Sequence, residues 1–227
     1  MPANEQITRM VVAPQRRALI TANAIAEGLG LPLECRSCFH EVGGLYDRAA
    51  GAEGHDPATG ECLPGVMPLH GSNFEQLQME APMLTTHDGT ITTEGWWRGG
   101  KETQGQQLER CRRAVACLWQ MCRDHQTEGD QGAIAIVGHG KFTDMMLQEL
   151  LQVGCGDGAR LIDTTFLSFN TSMFVLDLVP GAEAHLRGTV GVVACNAVPH
   201  MDSLDDRGGK LRTAQKRDTV RLTNLLK

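Results

Sequence analysis

Ala133 to Gln152 reads AIAIVGHGKFTDMMLQELLQ, and this stretch decides the fold class. Ala133 to Val137 is an apolar run without a polar break, the pattern of a central parallel strand covered on both faces. Gly138 and Gly140 flank His139, and glycines there let the backbone turn tightly and approach a ligand. Thr143 is a residue type that caps helices, and Met145, Met146, Leu147, Leu150 and Leu151 supply a helical apolar face. Strand, sharp turn and helix form one unit of an α/β fold. A histidine at the carboxyl end of such a strand sits where open α/β sheets bind ligands. The backbone N–H groups and the dipole of the following helix favour an anion there.

Working outward, the totals agree with one α/β domain. The chain has 227 residues and 41% hydrophobic content, enough for a core. A net charge of −6 argues against nonspecific nucleic-acid binding by the body, and 4% aromatic content argues against a base-stacking surface. No apolar run is long enough to span a membrane. The first ten residues, MPANEQITRM, are too polar for a secretion signal. The eight cysteines are scattered, with three on one predicted helix. That is the pattern of reduced thiols in a cytoplasmic compartment, not of a disulfide framework. Cys35-Arg-Ser-Cys38 has CxxC spacing, and with His40 and Cys62 it would make a zinc site. No second CxxC pairs with it, so no metal or cofactor is expected.

Upstream, Ile7 to Val12 is β-branched and apolar and reads as a strand ending at Ala13-Pro14. Arg16 to Gly28 reads as a helix, with Gly28 or Gly30 as its stop. Leu31 to Phe39 looks extended and leads into Glu41-Val42-Gly43-Gly44. Tyr46 to Lys101 is rich in Gly, Pro, His and Asp, with a short helix over Phe74 to Met79. A stretch this long with weak periodicity reads as a lid-like insert. Within it, Trp96 and Trp97 pin the insert to the core or wall a pocket, pinning being the expected role. Glu102 to His125 is the clearest helix, with a stripe of Leu108, Cys111, Val115, Leu118 and Cys122. Downstream, Met173 to Val179 and Thr189 to Cys195 read as antiparallel neighbours at a sheet edge. Arg207 to Lys227 holds seven of the 21 basic residues and one acid, and reads as a solvated basic tail.

Three separated residues carry complementary chemistry. Arg17 follows a strand and a proline near a helix start, and its guanidinium is a fork of donors for phosphate oxygens. Glu41 precedes a Gly-Gly turn, and a carboxylic acid can protonate a leaving alkoxide. His139 can donate to a phosphoryl group or accept it. Together these are parts for metal-free phosphoryl chemistry on a monoester.

Their order resembles the histidine phosphatase (phosphoglycerate mutase-like) superfamily. Ala13-Pro-Gln-Arg-Arg17-Ala-Leu-Ile-Thr21-Ala22 is similar to the family's SPxxRAxxTA segment, with Ala13 in place of the usual serine. His40-Glu41-Val42-Gly43-Gly44 is similar to the segment carrying the proton-donor acid. Gly95-Trp-Trp and Lys101-Glu102-Thr103 resemble an element that precedes the long helix in one branch. Val137-Gly138-His139-Gly140 resembles the second-histidine motif, and Asn170-Thr-Ser172 and Asn196 to His200 resemble the closing segments.

The resemblance spans roughly residues 7 to 201. It implies a three-layer α/β fold with a mostly parallel sheet flanked by helices. It also implies Arg17, His139 and Gly140 as the phosphate site and Glu41 as proton donor. The expected partner is a phosphorylated small molecule or a phosphoprotein.

One departure shapes the functional expectation. The family's nucleophile lies in an Arg-His-Gly motif on a first, central strand beside the one ending at His139, and this chain contains no Arg-His-Gly. Residues 1–206 are therefore expected to form an N-terminally incomplete histidine phosphatase-like domain, with a lid-like insert over about 46–101. Residues 207–227 form a basic tail. No nucleophile is assigned. The chain reads either as part of a phosphohistidine-dependent phosphatase or mutase, or as a non-catalytic module that binds a phosphorylated ligand or partner.

Overall fold

The computed structural model describes residues 6–48, 66–68, 70–129, 132–153, 166, 168–181 and 188–198. Strand β1 (Ile7–Val12) runs through Ala13-Pro14 into helix α1 (Arg16–Leu29). Ala18, Leu19, Ala22 and Ala26 form the buried face of α1. Gly30, at φ 68°, ends the helix by returning its N–H to the last turn, a left-handed cap that glycine adopts without strain. Strand β2 (Leu33–Cys35) follows, and a single 3-10 turn (Ser37–Phe39) leads to Glu41.

Strands β3 (Tyr46–Arg48) and β4 (Val66–Pro68) pair antiparallel. Helix α2 (Phe74–Glu80) opens on an Asn73–Gln76 capping box, matching the short helix expected there. Strand β5 (Leu84–His87) comes next. Helix α3 (Gln104–Thr127) opens on a second capping box, Thr103 with Gln106. Reciprocal side-chain bonds of this kind satisfy helix donors that otherwise lack partners. Strand β6 (Ala133–Val137) feeds directly into helix α4 (Gly140–Leu151). Strands β7 (Met173–Val179) and β8 (Thr189–Ala197) form an antiparallel pair.

The main sheet has the order β5-β2-β1-β6, and all four strands are parallel. Helices α1 and α2 pack on each other and on the sheet, and α3 packs on α4. The coarse expectation of a mostly parallel sheet flanked by helices is met. Burial is deepest on β1, where Met10, Val11 and Val12 are shielded completely or nearly so, because this strand has a neighbour on each edge.

Several local expectations are corrected. Among the described residues Ala133–Val137 is an edge strand of the sheet and not the central, fully covered strand expected. Among the described residues β6 pairs only with β1, and all five of its residues remain half-buried. Its apolar composition records what its faces are made of and not how many strands flank it. β7 and β8 do not extend the main sheet among the described residues but pair with each other, leaving Met173, Val175, Val179, Val192 and Val193 exposed. Thr143 does not cap α4. His139 holds the N-cap position, and Thr143 lies inside the first turn, its N–H donating to the His139 carbonyl at 2.8 Å.

Part of the expected insert belongs to the sheet. β5 pairs parallel with β2, and Leu77, Ala81, Leu84, Ile91 and Trp96 join the core. Four residues with two adjacent threonines give little periodic signal, so this edge strand was not visible in the sequence. The two tryptophans pin this segment. Trp96 is buried, and Trp97 Nε1 donates to the Leu45 carbonyl at 3.1 Å. No helix among the described residues is long and apolar enough to cross a membrane. Cys62, Pro199, His200 and the basic tail lie outside the described residues.

Candidate functional site

The parallel order of β1 and β6 sets the site. In β-pleated register Val12 lies beside Val137, so the two strand ends release Gln15–Arg17 and Gly138–Gly140 side by side. Arg17 Nε donates to His139 Nδ1 at 3.1 Å, joining residues 122 positions apart. A guanidinium has only donors, so Nδ1 must be the unprotonated nitrogen and the ring carries its proton on Nε2. Nε2 in turn meets Gln15 Oε1 at 2.7 Å. His139 is thus a buried, neutral imidazole of fixed tautomer. Burial is the main reason its pKa falls to about 3, and the nearby Arg17, His40 and Arg110 charges lower it further.

Glu41 completes the cluster from the loop after the 3-10 turn. Its Oε2 lies 3.9 Å from Arg17 Nη2. Its Oε1 accepts the N–H of Val42 at 2.9 Å and the N–H of Phe142 at 3.1 Å. Phe142 is in the first turn of α4, so the carboxylate lies on the helix N-terminus that the sequence reserves for an anion. Arg17, Glu41 and His139 therefore come together at the start of α4, beside Gly140.

The two glycines work differently from the expectation. Neither Gly138 nor Gly140 is among the residues of positive φ, so the turn itself does not require them. What they leave is room. A Cβ on Gly138 would meet nothing within 4 Å, and one on Gly140 would meet only Ser168, at 3.4 Å. Ser168 Oγ is buried and has no hydrogen-bond partner among the described residues. Its segment is tied to α4 by the Phe166 N–H, which donates to Asp144 Oδ1 at 2.7 Å. An unpaired hydroxyl beside a helix N-terminus is a polar group without its expected partner. Ser168 lies within no motif the sequence singles out, and only the spatial approach to Gly140 marks it.

No family model and no curated protein matches the chain.

Beneath the cluster lies a buried ion pair that sequence reasoning missed. Arg110 of α3 binds Glu102 through two bonds of 2.7 Å, Nε to Oε1 and Nη2 to Oε2. Its Nη1 also donates to the carbonyls of Cys38 at 3.0 Å and His40 at 2.8 Å, and its plane lies over the Phe142 ring at 4.2 Å. Glu102 further accepts the Gly43 N–H at 3.1 Å. Burial alone pushes the Glu102 carboxyl up, but the bonds and charge of Arg110, helped by the neighbouring His40, outweigh it and bring the pKa to about 2.

Arg110 thus grips both sides of the loop that presents Glu41 and also supports the ring of Phe142, whose N–H Glu41 uses. Arg110 resembles its exposed neighbours Arg112 and Arg113 in sequence, so composition gave no sign of it. His40, considered for zinc, instead places Nδ1 2.7 Å from the Ser37 carbonyl and Nε2 3.4 Å from Glu102 Oε1. No cluster of three or more His, Cys, Asp or Glu side chains suited to a metal occurs among the described residues.

Proposed function

We propose that Arg17, His139 and the first turn of α4, which opens at Gly140, bind the phosphoryl group of a phosphate monoester, with Glu41 beside them as the acid, as in the histidine phosphatase superfamily that the sequence resembles. The Arg17–His139 bond carries this reading, because it unites two residues 122 positions apart at the mouth of parallel strands. Arg17 supplies positive charge with a side chain 65% exposed, so it can take a ligand without crossing the core. The α4 N-terminus and the unpaired Ser168 hydroxyl add donors, and the missing Cβ atoms at Gly138 and Gly140 leave space for oxygens. A phosphate competes with the Glu41 carboxylate for the same positive end, so binding favours Glu41 that has swung aside.

The cluster is suited to recognition of a phosphorylated small molecule or phosphoprotein without turnover. His139 is a poor nucleophile as placed, since Nδ1 is covered by the Arg17 N–H and Nε2 carries its proton toward Gln15. General acid–base groups alone supply ~10²–10⁴-fold, against the ~10²¹-fold acceleration known for phosphate-monoester hydrolysis. Glu41 favours a second reading. Its Oε2 faces Arg17 and makes no backbone bond among the described residues, so that oxygen is open to the leaving-group side of a ligand held by Arg17. In that reading the site serves phosphohistidine-dependent hydrolysis, with a nucleophile contributed from outside the described residues.

Calorimetry with inorganic phosphate and p-nitrophenyl phosphate tests the first reading, and release of p-nitrophenol tests the second. Saturable heat without product supports recognition. Product release that is lost in Arg17→Ala supports hydrolysis. The absence of saturable heat defeats both.

A further inference from the structure

A second reactive cluster lies where β2 enters the 3-10 turn, at Arg36 and Cys38. Arg36, at the end of β2, donates from Nη1 to Cys117 Sγ at 2.9 Å. The same guanidinium donates from Nε to Glu34 Oε1 at 2.6 Å, and Glu34 also accepts from Arg9. Arg36 is therefore held in place from behind while it points at sulfur. Cys117 projects from α3 two turns beyond Arg110, whose Nη1 bonds the Cys38 carbonyl at 3.0 Å, so the 3-10 turn that packs on α3 brings Cys38 to the face that carries Cys117. Both cysteines are free and half-buried, unlike the fully enclosed Cys35 and Cys111.

We propose that Cys117 and Cys38 form a peroxide-responsive thiol pair, with Cys117 the attacking sulfur and Cys38 the resolving one. The Cys117 thiolate attacks one oxygen of hydrogen peroxide, the O–O bond breaks, hydroxide leaves, and Cys117 becomes a sulfenic acid. Cys38 then attacks the Cys117 sulfur. The S–S bond forms, the S–O bond breaks, and the departing hydroxide takes the Cys38 proton to become water. Two thiols lose two electrons and one peroxide becomes two waters.

The electrostatics agree with these roles. The neighbouring Cys38 thiol is the largest influence on Cys117. It and Arg36 outweigh burial and the opposing charge of Asp88, bringing the Cys117 thiol to about 6. Cys38 is pushed up by the neighbouring Cys117 and by burial, so it remains a thiol until Cys117 is oxidised.

The disulfide would tie the turn that leads into Glu41 to α3, beside the carbonyls that Arg110 holds. That consequence for the anion site rests on the phosphate-binding reading. The cross-link does not, and the two are measured separately.

The test treats the full chain with hydrogen peroxide, blocks remaining thiols with N-ethylmaleimide, and maps a non-reduced digest by mass spectrometry. The expected product is a Cys38–Cys117 linked peptide that dithiothreitol reverses. In the untreated chain, the pH profile of Cys117 alkylation should have its midpoint near 6, and Arg36→Met should move that midpoint up by at least one pH unit. A treated chain with no Cys38–Cys117 peptide would overturn the proposal, as would a wild-type midpoint at the ordinary thiol value near ~8.5. Titration of phosphate before and after oxidation reads the coupling to Glu41. Unchanged affinity with the cross-link present would remove the coupling and keep the thiol pair.

Discussion

Arg17 Nε and His139 Nδ1 stand 3.1 Å apart, and that bond fixes which nitrogen of the imidazole carries the proton. It also places a permanent positive charge against a ring already penalised for ionising by burial. His139 is thus committed to the neutral form through the whole physiological range.

Acid stability follows from that commitment. The folded pKa of His139, about 3, is depressed below the unfolded value of ~6.5, so the folded state binds fewer protons between these limits. Its contribution is fully present above pH ~6.5 and is lost as pH falls toward 3. Urea unfolding at pH 7 and pH 5 should therefore show wild type losing on the order of 2 kcal/mol more than His139→Gln. Equal losses in the two proteins would contradict the neutral, buried assignment.

Glu102 and Arg110 yield a larger prediction. Both side chains are about 95% buried. Replacing Glu102 by Gln leaves the Arg110 charge enclosed without its counterion, a change that costs roughly 3–5 kcal/mol in comparable settings. The urea midpoint should fall accordingly at pH 7. Because the Glu102 pKa is lowered to about 2, the wild-type advantage should persist to pH 4.5 and fade only as pH drops below it toward 2.

Gly44 is a steric test of the loop that carries Glu41. Its φ is 71°, and a Cβ there would lie 2.1 Å from Trp97 Cζ2. Gly44→Ala must displace a ring whose Nε1 is bonded to Leu45. A loss of about 1–3 kcal/mol is expected, read as a lower urea midpoint. Gly28→Ala, in open space at a helical position, is the control and should be neutral or slightly stabilising.

The parts of the molecule legible in the sequence are those encoded locally. β1, α1 and the β6–α4 unit announce themselves through dense apolar patterning, and Arg17, Glu41 and His139 through the turns that release them. What stayed hidden depends on distant neighbours. Whether Ala133–Val137 is central or at an edge is decided by which strands flank it, not by its own side chains. Arg110 differs from Arg112 and Arg113 only in the face of α3 it occupies, and its partner Glu102 lies just before the helix. Cys38 and Cys117 meet only because the 3-10 turn packs on α3. Ser168 reaches Gly140 through a loop held by Asp144.

Arg17 offers the cleanest separation of binding from folding. Its side chain is largely exposed, so Arg17→Ala should change stability by less than about 1 kcal/mol. Losing a charge-assisted donor pair should still weaken phosphate binding by at least about tenfold. Arg17→Lys keeps the charge but not the fork, and should recover only part of the affinity.

The most direct measurement is isothermal calorimetry of inorganic phosphate against the wild-type chain and Arg17→Ala, with urea unfolding run on both. Wild type should show one saturable site that is lost in the variant while the unfolding midpoint holds. Equal binding by both proteins, or no saturable heat in a folded wild type, would contradict it.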